Sequence, residues 1–192
     1  MGAASRLSIV AAAAVAALAA AGAAAAFGGS YVVDGGTPGE RATVVAALDA
    51  SAFDWSVVPT VVTIRIRRGV DSDAVRGRIT LDADLLDAGV WAWGVVQHEY
   101  AHQVDFFLLD EATRALLLER LGGAVWCAGS GSFHHAALGC ERFASTLAWA
   151  YWPVRANCMQ PLGPNDEAAA MDPAEFRALL AVLLPSPTIR GL

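Results

Sequence analysis

Apolar positions recur along this chain in several rhythms, and each rhythm predicts a different element. Val44, Val45, Ala47 and Leu48 form a helical stripe behind Thr37-Pro38-Gly39-Glu40. Thr37 can cap a helix, Pro38 suits its first position and Glu40 its third, so a helix is expected from Pro38 to about Ser51. Val57 to Arg67 is dominated by β-branched residues, and Ile64-Arg65-Ile66-Arg67 alternates at the strand period. A second strand is expected at about Arg76 to Asp82, reached through Gly69-Val70-Asp71-Ser72-Asp73, a loop suited to an irregular hairpin or a short crossover. From Val90 to Leu109, by contrast, Trp91, Trp93, Val95, Val96, Tyr100, Val104, Phe106, Phe107 and Leu108 leave little polar surface, which predicts a largely buried helix.

The later pattern is helical. Glu111 to Leu121 is expected as a helix that Gly122-Gly123 terminates in the left-handed conformation. A small-residue loop follows from Cys127 to Gly139, with Gly129-Ser130-Gly131-Ser132 and then His134-His135. Leu138 to Trp152 is expected as a helix stopped by Pro153, and Asp172-Pro173, with Glu175 behind, opens a last one to Leu184. Together these elements predict an α+β domain, with a small sheet beside the apolar helix and a mostly helical C-terminal half. No internal repeat is visible.

Composition narrows the class. With 192 residues, 56% hydrophobic and 17% charged, the chain can bury one core and is not expected to be disordered. A net charge of −6 with dispersed basic residues argues against nucleic acid as a partner. Much of the hydrophobicity lies at the N-terminus, where Ile9 to Phe27 holds only Ile, Val, Ala, Leu, Gly and Phe behind Arg6. Residues 1–26 are therefore expected to be a signal peptide or an N-terminal anchor. The alanine-rich run offers weak lipid anchorage and Ala24-Ala25-Ala26 suits cleavage, so a removed signal is favoured. Either outcome implies a secreted or extracytoplasmic domain that meets a membrane only through an uncleaved segment. Residues 27–37, rich in turn formers, are expected to be a flexible tether, with the domain spanning 38–192. Cys127, Cys140 and Cys158 allow one disulfide and one remaining thiol, and their spacing is not that of a zinc ribbon.

The chemistry concentrates in the apolar helix, at His98-Glu99-Tyr100-Ala101-His102. Residues four apart on a helix share a face, so both imidazoles can reach one ion. Glu99 is rotated by about 100° from His98 and sits beside that ion rather than on it. It can then take a proton from water and return it to a leaving amine. Two imidazoles and a carboxylate buried without partners would cost several kcal/mol, and a metal satisfies them. This five-residue pattern resembles the His-Glu-x-x-His helix of zincin-type zinc metallopeptidases.

A hydrolytic zinc needs a third protein ligand. The metzincin pattern is absent, since Leu108 stands where its third histidine would be and Asp105 where its glycine would be. Glu141, in Cys140-Glu141-Arg142-Phe143-Ala144, resembles the downstream glutamate of gluzincins, and the resemblance implies a His98, His102 and Glu141 ligand set for Zn2+. Ser145 departs from the thermolysin-type pattern, which has aspartate there. Asp105 shares a face with both histidines and is a candidate to orient one of them, a local salt bridge being its other reading. His134 and His135 remain rivals for the third position, candidates to hydrogen-bond an oxyanion, or exposed loop residues. Arg78-Ile79-Thr80-Leu81 corresponds, by the same resemblance, to an edge strand along which an extended substrate lies. The six tryptophans are expected to pack rather than to bind sugar. The implied function is hydrolysis of peptide bonds in a peptide or protein substrate, with Glu99 as general base and then acid. The alternatives are an amidase acting on cell-wall peptides, a non-catalytic zinc-stabilised binding module, and a tethered interaction protein without metal.

Overall fold

The computed structural model describes residues 29–127 and 134–184. The expected signal or anchor at residues 1–26 and the Gly129–Ser132 run therefore lie outside the described residues. Among the described residues, no helix is long and apolar enough to cross a membrane.

The fold is α+β, with a four-stranded sheet and six helices. Strands β1 (Tyr31–Gly35), β2 (Val62–Arg67), β3 (Asp73–Val75) and β4 (Arg78–Asp82) stand in the order β1-β2-β4-β3. β1 and β4 both run parallel to β2, and β3 runs antiparallel to β4. In β2 the expected alternation holds: Val62, Ile64 and Ile66 are buried, while Arg65 and Arg67 face outward and pair with Asp34 of β1.

Three boundaries differ from expectation, each for a local reason. Tyr31–Gly35, read as part of a flexible tether, is a sheet strand in register with β2 from Tyr31 opposite Val62 to Gly35 opposite Ile66. The flanking glycines disguise a five-residue strand. Trp55–Val57 forms a 3-10 turn and β2 starts only at Val62, past Pro59, which has no N–H to give a ladder. The strand expected from Arg76 starts at Arg78, because Arg76-Gly77 is a two-residue hairpin turn with Gly77 at φ 78°. This hairpin makes β4 an interior strand and not an edge. Among the described residues the edge on that side is β3.

Helix α1 (Pro38–Ala50) carries the expected capping box, with Thr37 Oγ1 accepting from Glu40 N and Glu40 Oε2 accepting from Thr37 N. Short α2 (Ala83–Leu86) leads through a 3-10 turn at Gly89–Ala92 into α3 (Trp93–Leu108). Every residue of α3 from Val96 to Asp105 is buried. Its neighbours explain why. α1 packs on one side, where Gln97 Nε2 donates to Ala47 O at 2.7 Å. The β3–β4 hairpin is pinned on another, where Gln103 Nε2 donates to Val75 O and Arg78 O while its Oε1 accepts from Gly77 N. α5 (Gly139–Tyr151) lies along a third side through Phe143, Ala144, Leu147 and Ala148. Between them, α4 (Glu111–Leu121) ends at Gly122 in the left-handed conformation, φ 74°. α6 (Pro173–Leu183) then packs Phe176 against Phe143.

Candidate metal centre

The site lies where α3 meets the first turn of α5. His98 and His102 project from one face of α3, their ring centroids 4.9 Å apart and their planes nearly perpendicular. Glu141 arrives from α5, next to Cys140, whose disulfide to Cys127 ties the start of α5 to the strand-like segment after α4. Cys158 is the remaining thiol, and burial pushes it up to about 11.

Three ligand-capable atoms converge. His98 Nε2 is 3.1 Å and His102 Nε2 3.3 Å from Glu141 Oε2, and the two Nε2 atoms are 3.2 Å apart. An ion held tetrahedrally at about 2.0–2.1 Å sets neighbouring ligand atoms roughly 3.3 Å apart. The nearly equilateral triangle thus has the dimensions of three corners of a zinc tetrahedron, and its atoms, two imidazole nitrogens and a carboxylate oxygen, are of types that zinc takes as ligands.

Hydrogen bonding alone accounts poorly for the cluster. Glu141 Oε2 lies within 3.0–3.3 Å of three ring nitrogens, those of His98, His102 and His135. A carboxylate oxygen offers about two lone-pair sites, so three donors exceed what it can accept well. Burial raises the Glu141 carboxyl, yet the hydrogen bonds from His102, His135 and His98 outweigh it and hold the group far below the usual carboxylate range. Burial likewise lowers His102, but Glu141, Glu99 and Asp105 turn the balance upward. In this form the carboxylates favour protons on the imidazole rings, which a cation would displace.

Glu99, only 7% exposed, sits beside the triangle on the same helix. Burial pushes its carboxyl up, His98 and His102 oppose that rise, and Glu141 and Asp73 add to it. A carboxyl raised in this way is suited to carrying a proton between reacting atoms.

His135 and His134 part company. His135 Nε2 reaches Glu141 Oε2 at 3.0 Å and Nδ1 reaches Glu167 Oε1 at 2.5 Å, with its ring stacked on His98 at 6.1 Å between centroids. The hydrogen bonds to Glu141 and then Glu167 push its ring up to about 10. His134 is exposed, and its side chain does not cap the 3-10 turn it precedes.

Asp105 does not orient a ligand histidine. Its carboxylate accepts from Arg114 Nε at 2.7 Å and from Trp126 Nε1 at 3.1 Å, so the salt-bridge reading is the one observed. The Nδ1 of His98 instead meets Ser145 Oγ at 3.0 Å, and Ser145 Oγ donates to Glu167 Oε2 at 2.7 Å. Glu167 was not visible as a site residue, because it follows Gly163-Pro164-Asn165-Asp166, a turn-rich stretch without periodic signal. The weak hint was Ser145, a hydroxyl where the resembling pattern has a carboxylate. Most of the tryptophans pack: Trp93 lies tilted against Trp152 at 5.4 Å between centroids, Trp55 lies against Phe53 and Tyr100, and Trp126 packs against Phe143, whereas Trp91 is half exposed.

No family model, curated protein or solved structure matches this chain, so its functional reading rests on the geometry of the site itself.

Proposed function

We propose that this chain is a zinc-dependent hydrolase of peptide bonds, with His98, His102 and Glu141 as the metal ligands and Glu99 as the general base and acid. The observation that carries this reading is the triangle of Nε2, Nε2 and Oε2 atoms, 3.1–3.3 Å on each side, with a buried carboxyl on the neighbouring residue of the same helix. Zinc bound there would supply Lewis acidity, making water nucleophilic near neutral pH and polarising a carbonyl.

The chain's own groups supply the rest. Glu99 accepts the proton of the attacking water and delivers it to the departing amine, and its raised pKa favours the first of these transfers. His135, its Nδ1 held by Glu167, would donate from Nε2 to the oxygen on which negative charge develops once Glu141 Oε2 is taken up as a metal ligand. The outer edge of β3 offers backbone groups to an extended peptide, and Gln103 fixes that hairpin to the motif helix. A purely structural zinc would need no base, and such sites usually complete four protein ligands. Only three such side chains gather here among the described residues. Residues 1–26 and the Cys127–Cys140 disulfide support action outside the cytoplasm, where disulfides persist.

The test pairs metal content with turnover. Zinc-loaded wild type is expected to cleave a mixed peptide library. Glu99→Gln should bind zinc equally and lose about 10²–10⁴-fold in rate. Undiminished cleavage by Glu99→Gln would remove the base from this reading, and no cleavage by zinc-loaded wild type would leave a binding module instead.

A further inference from the structure

We propose that Glu167, acting through Ser145, is the positioning residue that fixes His98 for metal binding, and that the same carboxylate holds His135 over the site. This inference rests on the metal-site reading above, and adds two residues that the ligand motif does not contain.

The argument follows the protons. A carboxylate can only accept, so the Ser145 hydroxyl, 2.7 Å from Glu167 Oε2, donates to it. Met159 Sδ, at 3.6 Å, is the weaker competitor for that hydrogen. With its hydrogen committed, Ser145 Oγ has only lone pairs left for the His98 Nδ1 atom 3.0 Å away. That contact is satisfied when Nδ1 carries the proton, and a neutral imidazole protonated at Nδ1 presents its free lone pair at Nε2. Nε2 is the atom that stands in the ligand triangle. The chain of bonds therefore selects the tautomer and the ring orientation that a metal requires.

The placement makes the brace stiff. Ser145 is 1% exposed on α5, one turn beyond Glu141, and Thr146 beside it donates to Glu167 O at 3.3 Å. Glu167 opens a 3-10 turn, Glu167–Ala169, that packs on α5 and buries Ala168. Its second oxygen, Oε1, takes Nδ1–H of His135 at 2.5 Å. One carboxylate thus serves the two histidines whose rings stack above one another.

Zinc affinity is measured by competition with a chromophoric chelator for wild type, Ser145→Ala, Glu167→Ala and the double variant. Exchange of the His98 Nδ1–H proton with water, followed by NMR on the zinc-loaded protein, reports its hydrogen bond to Ser145. The brace predicts that each single variant weakens zinc about 10–100-fold, as loss of such outer hydrogen bonds does elsewhere. It also predicts that the double variant is little worse than either single one, because both break the same chain. In the zinc-loaded protein, the His98 Nδ1–H proton should exchange slowly with water in wild type and faster in both single variants. Circular dichroism checks that each variant is folded, and Ser145→Ala, which removes one oxygen, keeps the test available should Glu167→Ala unfold. Wild-type zinc affinity and unchanged Nδ1–H exchange in folded Ser145→Ala would overturn the brace while leaving the metal site intact. Absence of zinc binding by wild type would instead overturn the underlying site, and the two failures are thereby distinct.

Discussion

α3 turns two buried faces to its neighbours, and both carry polar side chains, but they are satisfied in opposite ways. On the sides toward α1 and the hairpin, Gln97 and Gln103 carry amides that donate to backbone carbonyls. Gln103 uses its oxygen and both its donors on the hairpin. On the face toward α5, three imidazoles crowd onto one carboxylate oxygen. The first face has no more donors than acceptors, only the Gln97 oxygen being left over, and carries no titrating proton, which suits a joint. The second holds more donors than its acceptor can serve, and its groups exchange protons, which suits a place where something binds. The comparison separates structural from functional polar burial within a single helix.

The largest expected break in that contrast is on the crowded face. Glu141→Ala should weaken zinc by more than about 100-fold, beyond the loss typical of outer hydrogen-bond partners, and should also lower stability in chelator, because three imidazoles lose the carboxylate they share. Isothermal titration beside a denaturation curve reads both. Next comes the amide face, where Gln103→Ala should cost about 2–3 kcal/mol of stability by leaving Gly77 N and the Val75 carbonyl without their partner. Zinc stoichiometry should not change, and a loss of metal in a folded Gln103→Ala protein would blur the division of labour between the faces.

A smaller effect concerns pH. The ring of His135 rises from its ordinary 6.5 to about 10 through Glu141 and then Glu167. A raised folded-state pKa gives stability that is fully present below 6.5 and lost as pH climbs toward about 10. In chelator, the Tm advantage of wild type over His135→Gln should therefore shrink across that window. A constant difference would mean that the charged ring does not contribute. The smallest effect is expected at Gln97, whose Oε1 is buried without a partner. Gln97→Leu gives up one hydrogen bond to Ala47 O and relieves that orphaned oxygen, so stability should stay within about 1 kcal/mol of wild type.

What could be read in the sequence follows the range over which each cause acts. The α1 capping box, the in-and-out pattern of β2 and the glycine stop after α4 depend on neighbours within a few residues, and each is found where expected. The histidine pair is legible for the same reason, since its spacing on one helix determines its geometry. β1 was hidden because its partner, β2, lies some thirty residues on and its flanking glycines look like a linker. Nor could spacing show that Asp105 would be taken by Arg114 and Trp126, or that Ser145 would meet a glutamate 22 residues later. Those are products of how α4, α5 and the turn at Glu167 dock around α3. Glu141 stands between these cases. Its approach to the histidines was expected only through the resemblance of its segment to gluzincin ligand helices.

The most direct test of the central claim is X-ray absorption at the zinc edge, on protein reconstituted with zinc and then dialysed. The account predicts about one zinc per chain, surrounded by nitrogen and oxygen at about 2.0–2.1 Å, with the bound metal lost in His98→Ala and in His102→Ala. A protein that retains no zinc, or one whose zinc shows sulfur neighbours at about 2.3 Å, would contradict it.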